Sequence, residues 1–383
     1  MQIGIVCYAS MGGSGIIATE LGLALADRGH AVHLISADQP YRLGTFHPGL
    51  SFHPVQTPSY PLFREPQYLL SLANTIVRIA RDQDLQIVHA HYAVPHATAA
   101  VLARQVLDAS SPGRAPRVVT TLHGTDITVV GGDPSYSEII AFSIDQSDAV
   151  TAVSESLRRA TTRELAVRRD VEVIPNFLDC DRYRRRDYPG LRQRYATDGR
   201  TRIVMHLSNF RPVKRLDSVV ETFARIVSRV PAVLLLVGDG PDLSASRRLA
   251  KQLEVADRVH YLGAQEDVLP LLSIADVFLL PSEQESFGLA ALEAMACEVP
   301  VVASNAGGLP EVIEHGVTGF LHDVGEVDAM AASAVTLLTD AGLHQRITAA
   351  AVRHVRQSFC VTRVVPMYEA LYRRVAGQSG TTS

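Results

Sequence analysis

Glu285 and Glu293 lie on either side of a Ser-Phe-Gly turn, in Pro281-Ser282-Glu283-Gln284-Glu285-Ser286-Phe287-Gly288-Leu289-Ala290-Ala291-Leu292-Glu293. A strand pattern ends at Pro281 and a helical one begins near Phe287, so Glu285 precedes a helix and Glu293 sits two turns inside it. Carboxylates so placed accept hydrogen bonds from separate hydroxyl sets along one ligand. The free amides of Ser286, Phe287, Gly288 and Leu289 favour a negative group beside them. A continuous helix with incidental glutamates is the plainer reading, and Gly288 at its start speaks against it. Ser208-Asn209-Phe210-Arg211-Pro212-Val213-Lys214-Arg215 places Arg211, Lys214 and Arg215 in a loop after an apolar run. That loop suits a diphosphate, or is simply solvated charge.

The amino half carries further loops of this kind. Gly12-Gly13-Ser14-Gly15 follows the first apolar run and opens a helix, a place for an anion on backbone N–H groups. Gly13-x-Gly15-x-x-Ala18 with Asp38 also imitates a dinucleotide fingerprint, which keeps a nicotinamide-dependent oxidoreductase open. His89-Ala90-His91-Tyr92 with His96 offers donors to a substrate, a metal site or satisfied core histidines. Thr120-Thr121-Leu122-His123-Gly124-Thr125-Asp126 gathers hydroxyls, an imidazole and a glycine just past a strand, a mix suited to a polyol or carboxylate, with Asp126 equally placed to cap the following helix. Asp179-Cys180-Asp181 imitates a metal-nucleotide motif outside any strand–helix unit. Gly238-Asp239-Gly240-Pro241 and Gly307-Gly308-Leu309-Pro310-Glu311 read as turns.

These loops need elements to hold them. Apolar runs at Ile3–Tyr8, Ala31–Ser36, Gln86–Ala90, Val118–Leu122, Ala149–Val153 and Val171–Ile174 alternate with helical patterns at Ile16–Arg28 and Tyr68–Arg81. The alternation restarts with strands at Arg202–Leu207, Ala232–Val237, Val259–Leu262, Val277–Leu280 and Val299–Ala303, and helices at Leu216–Val230 and Ala245–Leu253. This is the pattern of two doubly wound α/β domains facing a cleft, with ligands at the carboxyl ends of their strands. Asn176–Arg200, polar and poorly periodic, reads as a connector. The chain has 383 residues with 47% hydrophobic and 20% charged, enough for two large cores and against extended disorder. A net charge of −4 gives no field for nucleic acid. No apolar stretch approaches membrane-span length, and no basic amphipathic patch points to a lipid surface. Cys7, Cys180, Cys297 and Cys360 are scattered without a CxxC pair, so no disulfide is expected and a cytoplasmic setting is.

Taken together, Glu285-x7-Glu293 with Ser286-Phe287-Gly288, the Lys214 loop and Gly307-Gly308-x-Pro310-Glu311 resemble the retaining, nucleotide-sugar-dependent glycosyltransferases of family 4. The resemblance runs over essentially the whole chain. It implies the GT-B fold, with an acceptor domain at 1–177 completed by a C-terminal helix at about 362–378, and a nucleotide-sugar domain at 178–361. It implies UDP-GlcNAc as donor and L-malate as acceptor, no metal and no cofactor, with a homodimer possible. Lys214, Glu285 and His123 are then catalytic. Gly13, Asn209, Arg211, Lys214, Glu285, Ser286, Phe287, Gly288, Leu289 and Glu293 would hold the UDP-sugar, and Ser14, Tyr92, Thr121 and Asn176 the malate. In one departure, Asn209 stands where the family commonly has an arginine five residues before the lysine; Arg211 is the substitute cation. Other small acceptors, such as inositol phosphate, and a non-enzymatic sugar-binding module are the remaining alternatives.

Overall fold

The computed structural model describes residues 1–9, 12–40, 43–44, 46–58, 67–129 and 131–377. The chain divides into two compact units, one formed by Met1–Asn176 with the segment from Val361 onward, the other by Phe177–Cys360.

In the first unit the described residues form seven parallel strands: β1 Gln2–Val6, β2 Ala31–Ser36, β3 Leu50–Pro54, β4 Ile87–His91, β5 Arg117–Leu122, β6 Ala149–Ala152 and β7 Val171–Val173. Their order is β3-β2-β1-β4-β5-β6-β7. Ile5 of β1 pairs with Leu34 on one side and His89 on the other, so β1 is central and buried on both faces. Helices cover both faces, which is why the inner strands are nearly unbroken apolar runs. The helix Tyr68–Gln83 lays Leu72, Ile76 and Ile79 against Val6, Ile35, Val88 and Val118. The helix Val361–Val375 completes this unit. Its Tyr372 hydroxyl lies 2.7 Å from His89 Nδ1, and its Glu369 accepts both Arg28 Nε (3.0 Å) and an Arg28 terminal N–H (2.8 Å), with His30 Nε2 at 3.0 Å.

The second unit repeats the plan with β8 Arg202–Leu207, β9 Ala232–Val237, β10 Val259–Tyr261, β11 Val277–Leu280, β12 Val301–Ser304 and β13 Phe320–His322. Its order is β10-β9-β8-β11-β12-β13, all parallel. The helix Leu216–Val227 buries Leu216, Val219, Val220, Phe223 and Ile226 against Val204, Leu234, Leu236 and Leu279. In each sheet the strand order reverses at one place, between β1 and β4 and between β8 and β11. The loops leaving those strands are where an open α/β sheet binds ligands.

Two expectations need correction. Cys180 and Cys360 form a disulfide across a sequence separation of 180, with Cα atoms 5.6 Å apart; Cys7 and Cys297 stay free and buried. Spacing along the chain says nothing here, because the fold returns residue 360 to residue 178, where Leu178 donates its N–H to the Phe359 carbonyl at 3.0 Å. The polar stretch after Asn176 is packed rather than a loose connector. Tyr183 is buried, Pro189–Tyr195 is a helix, and Arg192 binds Asp276 at 2.9 Å and the Ile274 carbonyl at 2.5 Å. Among the described residues no helix is long and apolar enough to cross a membrane.

Candidate functional site

In the first unit the helix Gly13–Asp27 starts from an extended Gly12 with no side-chain cap and no acidic residue in its first turn. Its positive end is therefore uncompensated. Gly13 is exposed and Ser14 is buried beside it. After β4, Tyr92 holds a φ of 93°, a left-handed conformation costly for a tyrosine. Its N–H donates to the Thr121 carbonyl at 2.9 Å, and its ring meets Tyr8 at 5.5 Å and His123 at 5.3 Å. Thr121 is wholly buried, with its hydroxyl 2.7 Å from both His89 Nε2 and Thr151 Oγ1. Asn176 is buried and its Oδ1 has no partner in the protein.

Strand alternation puts His89 and His91 on one side of β4 with rings 4.4 Å apart. His91 Nδ1 lies 2.8 Å from His123 Nε2 across the β4–β5 boundary. His96 bonds the His91 carbonyl through Nδ1. Burial lowers these imidazoles, to about 3 for His89, about 4 for His96 and about 3 for His123, and well below the ordinary range for His91. All four are neutral at pH 7. Among the described residues no group of three His, Cys, Asp or Glu could hold a metal ion. Asp126 ties the loops together, accepting N–H groups from Gly124 (2.9 Å), Ala93 (3.2 Å) and His123 (3.3 Å). Burial raises its carboxyl to about 6 against the pull of those amides. Asp126 therefore fixes loop shape by capping backbone N–H groups, the structural one of its two sequence readings.

In the second unit His206 on β8 is buried but satisfied at both nitrogens, by the Leu279 carbonyl (2.9 Å) and Ser208 Oγ (2.8 Å). The next residues turn out of the sheet: Asn209 and Arg211 are exposed, and Lys214 ends a short 3-10 turn. Gly238 sits at φ +123° with the Ser208 carbonyl 1.8 Å from where a Cβ would stand, so only glycine lets the β9 loop back this turn. Lys214 Nζ reaches Glu285 Oε1 at 2.5 Å, Ser282 Oγ donates to the same oxygen at 3.1 Å, and Glu283 N–H donates to the Val213 carbonyl at 2.8 Å. The two loops are thereby one surface. Behind Glu285, Gly307 at φ +56° approaches so closely that a Cβ would lie 2.0 Å from the Glu285 carbonyl. The Gly307-Gly308 turn thus supports Glu285 rather than contributing chemistry of its own.

The helix of this loop is Leu289–Ala296, starting two residues later than the apolar pattern gave, because Gly288 takes φ +99°. Ser286 and Leu289 are half-buried at its mouth, whereas the Phe287 ring is buried edge-on to Phe359 at 5.5 Å. Phe287 can thus offer only its backbone. Glu293 is buried and accepts the Tyr183 hydroxyl at 2.9 Å. Tyr183 escaped the sequence reading because it lies in the apparent connector. Asp179 Oδ1 accepts the N–H groups of Asp181 (2.8 Å) and Arg182 (3.1 Å) and Cys180 is disulfide-bonded, so Asp179-Cys180-Asp181 is a capped turn rather than a metal motif.

Comparison with known proteins accounts for both loop sets. The family model described as Glycosyltransferase Family 4 matches residues 11–182, and that described as Glycosyl transferases group 1 matches residues 187–354. The chain is 46% identical over 97% of its length to the N-acetyl-alpha-D-glucosaminyl L-malate synthase of Bacillus anthracis, covering 96% of that protein. It is 33% identical over 73% of its length to a GDP-mannose-dependent phosphatidylinositol monomannoside mannosyltransferase of Mycobacterium tuberculosis, covering 75% of that protein. The crystal structure of Anabaena HepE with UDP and glucose is similar in fold, with a TM-score of 0.80 at 23% identity over 97% of this chain and 99% of that one. A glycosyltransferase from Rickettsia africae also gives 0.80, at 21% identity over 99% of both chains. The dinucleotide reading of Gly13, Gly15 and Asp38 gives way to this: the chain belongs to the family 4 glycosyltransferases and is a retaining hexosyltransferase of the GT-B fold.

Proposed function

We propose that this enzyme moves GlcNAc from UDP-GlcNAc to the hydroxyl of L-malate, giving UDP and GlcNAc-α-malate, the first step of bacillithiol biosynthesis. The observation that carries the reading is the 46% identity to the Bacillus anthracis synthase along nearly the full length of both chains. The charged loop of the second unit supports it chemically. Breaking the anomeric bond places positive charge on the sugar and negative charge on the departing diphosphate. A cation and helix amides aimed at that phosphate stabilise it more in the transition state than before it. Lys214 takes this role, joined by Arg211, by Asn209 in place of the usual arginine, and by the Gly13 backbone. Glu285, with the backbone of Ser286, Phe287, Gly288 and Leu289, holds the GlcNAc hydroxyls and phosphate, and Glu293 holds the ribose. The malate hydroxyl attacks the face that the phosphate leaves, and a phosphate oxygen takes the hydroxyl proton as the C–O bond forms. That order conserves the anomeric configuration without a covalent sugar–enzyme intermediate.

On this reading the first unit is the acceptor domain, with Ser14, Tyr92 and Asn176 contacting malate. Thr121, its hydroxyl already engaged, acts chiefly by holding Tyr92 through its carbonyl. His123 supports the reacting groups. An acceptor panel with UDP-GlcNAc, scored by product mass, tests the assignment. It expects a GlcNAc–malate adduct, and transfer to inositol phosphate or to no hydroxy acid would overturn it.

A further inference from the structure

The His91–His123 pair has a consequence for the proton on His123. Both rings are buried, stacked at 5.1 Å with an interplanar angle of 22°, and joined through His91 Nδ1 and His123 Nε2 at 2.8 Å. Both are neutral, so each carries one ring proton and one of them donates. If His123 Nε2–H were the donor, the proton of His91 would sit on His91 Nε2. That nitrogen is buried with no partner in the protein, and an orphaned N–H in the interior is rarer than an orphaned lone pair. The neighbouring His96 shows the same choice already made. A carbonyl only accepts, so the bond to the His91 carbonyl puts the proton of His96 on Nδ1 and leaves its buried Nε2 as a bare lone pair.

We propose that His91 is a positioning residue that sets the tautomer of His123: His91 Nδ1–H donates to His123 Nε2, and the nitrogen left for substrate, His123 Nδ1, carries a proton and serves as a neutral hydrogen-bond donor. His123 then has no free lone pair with which to take the acceptor's proton. It offers N–H to a phosphate or hydroxyl oxygen on which charge develops. This rests on the reading of His123 as a residue that touches substrate. The proton assignment itself stands on the protein alone.

The test uses the full-length enzyme labelled with ¹⁵N-histidine, with the His123 resonances identified by their loss in His123→Asn. Wild-type His123 is expected to show a protonated Nδ1 and a bare Nε2. His91→Asn keeps an amide donor near the place of Nδ1 and should keep that signature with nearly wild-type turnover. His91→Leu removes the donor, so His123 is no longer held to the Nδ1–H form, and kcat should fall roughly 10- to 100-fold with KM little changed. A bare Nδ1 on His123 in the wild-type enzyme overturns the inference, as does a folded His91→Leu enzyme with unchanged kcat. If instead the wild-type enzyme makes no GlcNAc–malate adduct, the proposed reaction fails while the ¹⁵N signature still decides the tautomer.

Discussion

On β4 and in the loops past β4 and β5, four histidines lie buried and neutral, with bonds to one another, a tyrosine, a threonine hydroxyl and a backbone carbonyl. At the matching ends of β8 and β11, Lys214 and Glu285 remain ionic partners at 2.5 Å, with 19% and 13% of their side chains exposed. The first unit fixes its polar groups before any ligand arrives, as neutral donors need if they are not to reorganise during reaction. The second keeps a lysine and a carboxylate that satisfy each other and can be shared with a ligand bearing both phosphate and hydroxyls. The units are also secured differently. The returning helix Val361–Val375 is held in the first by Glu369, Arg28 and His30, whereas the ends of the second are joined by Cys180–Cys360.

The covalent half of that contrast should give the largest effect. Cross-linking a loop of this length is worth about 2–5 kcal/mol of stability. Reductant, or Cys180→Ser, should lower Tm accordingly. Thiol titration in denaturant should rise from two thiols to four on reduction, since Cys7 and Cys297 are free. Four thiols without reduction would sink the contrast. In the first unit Glu369→Ala removes the carboxylate that binds Arg28 and His30, at a cost of roughly 1.5–3 kcal/mol. Burial pushes the Glu369 carboxyl up, but its bonds from Arg28 and His30 outweigh this and hold it down to about 2. The stabilisation is thus complete above the ordinary carboxyl value of 4.5 and is lost as pH falls toward 2. Denaturant titrations at pH 6 and pH 3 should show the gap between wild type and Glu369→Ala narrowing in acid; an unchanged gap would count against the ion pairing of Glu369.

The same contrast explains what the sequence shows and hides. Ala31–Ser36, Arg202–Leu207, Ala232–Val237 and Val277–Leu280 have the bounds their apolar runs give, because a strand buried on both faces is mostly apolar on each. The edge strand Leu50–Pro54 carries Ser51, His53 and Pro54 and leaves no such trace. Lys214 and Glu285 stood out because each follows a readable strand. Their contact joins residues 71 apart, and that of Tyr183 with Glu293 residues 110 apart, so neither has a local signal. The histidines were legible as a cluster. Their neutrality was not, because it comes from burial that only the packed sheet creates.

Charge in the second unit comes next in size of effect. Lys214→Ala removes a charge-assisted contact worth roughly 1.5–3 kcal/mol, so kcat/KM should fall about 10- to 150-fold. A folded variant with unchanged kcat/KM would remove Lys214 from the diphosphate.

The smallest effect is the most discriminating. Tyr183 Oη donates to Glu293 Oε1, and both residues are buried. If Glu293 holds the ribose of UDP, Tyr183 orients that carboxylate. Tyr183→Phe then loses one hydrogen bond, about 0.5–1.5 kcal/mol, or roughly 2- to 10-fold in UDP affinity. Glu293→Ala should weaken UDP binding further, and adding Tyr183→Phe to it should change little, because on this assignment the hydroxyl affects UDP through the carboxylate. Calorimetric titration of UDP into the three variants measures this. Additive losses would mean that Tyr183 meets the nucleotide by its own route, and wild-type affinity in Glu293→Ala would release the ribose from Glu293. Coupled losses would show that the second unit, like the first, braces its ligand groups through buried hydroxyls and keeps its cation where phosphate must be held.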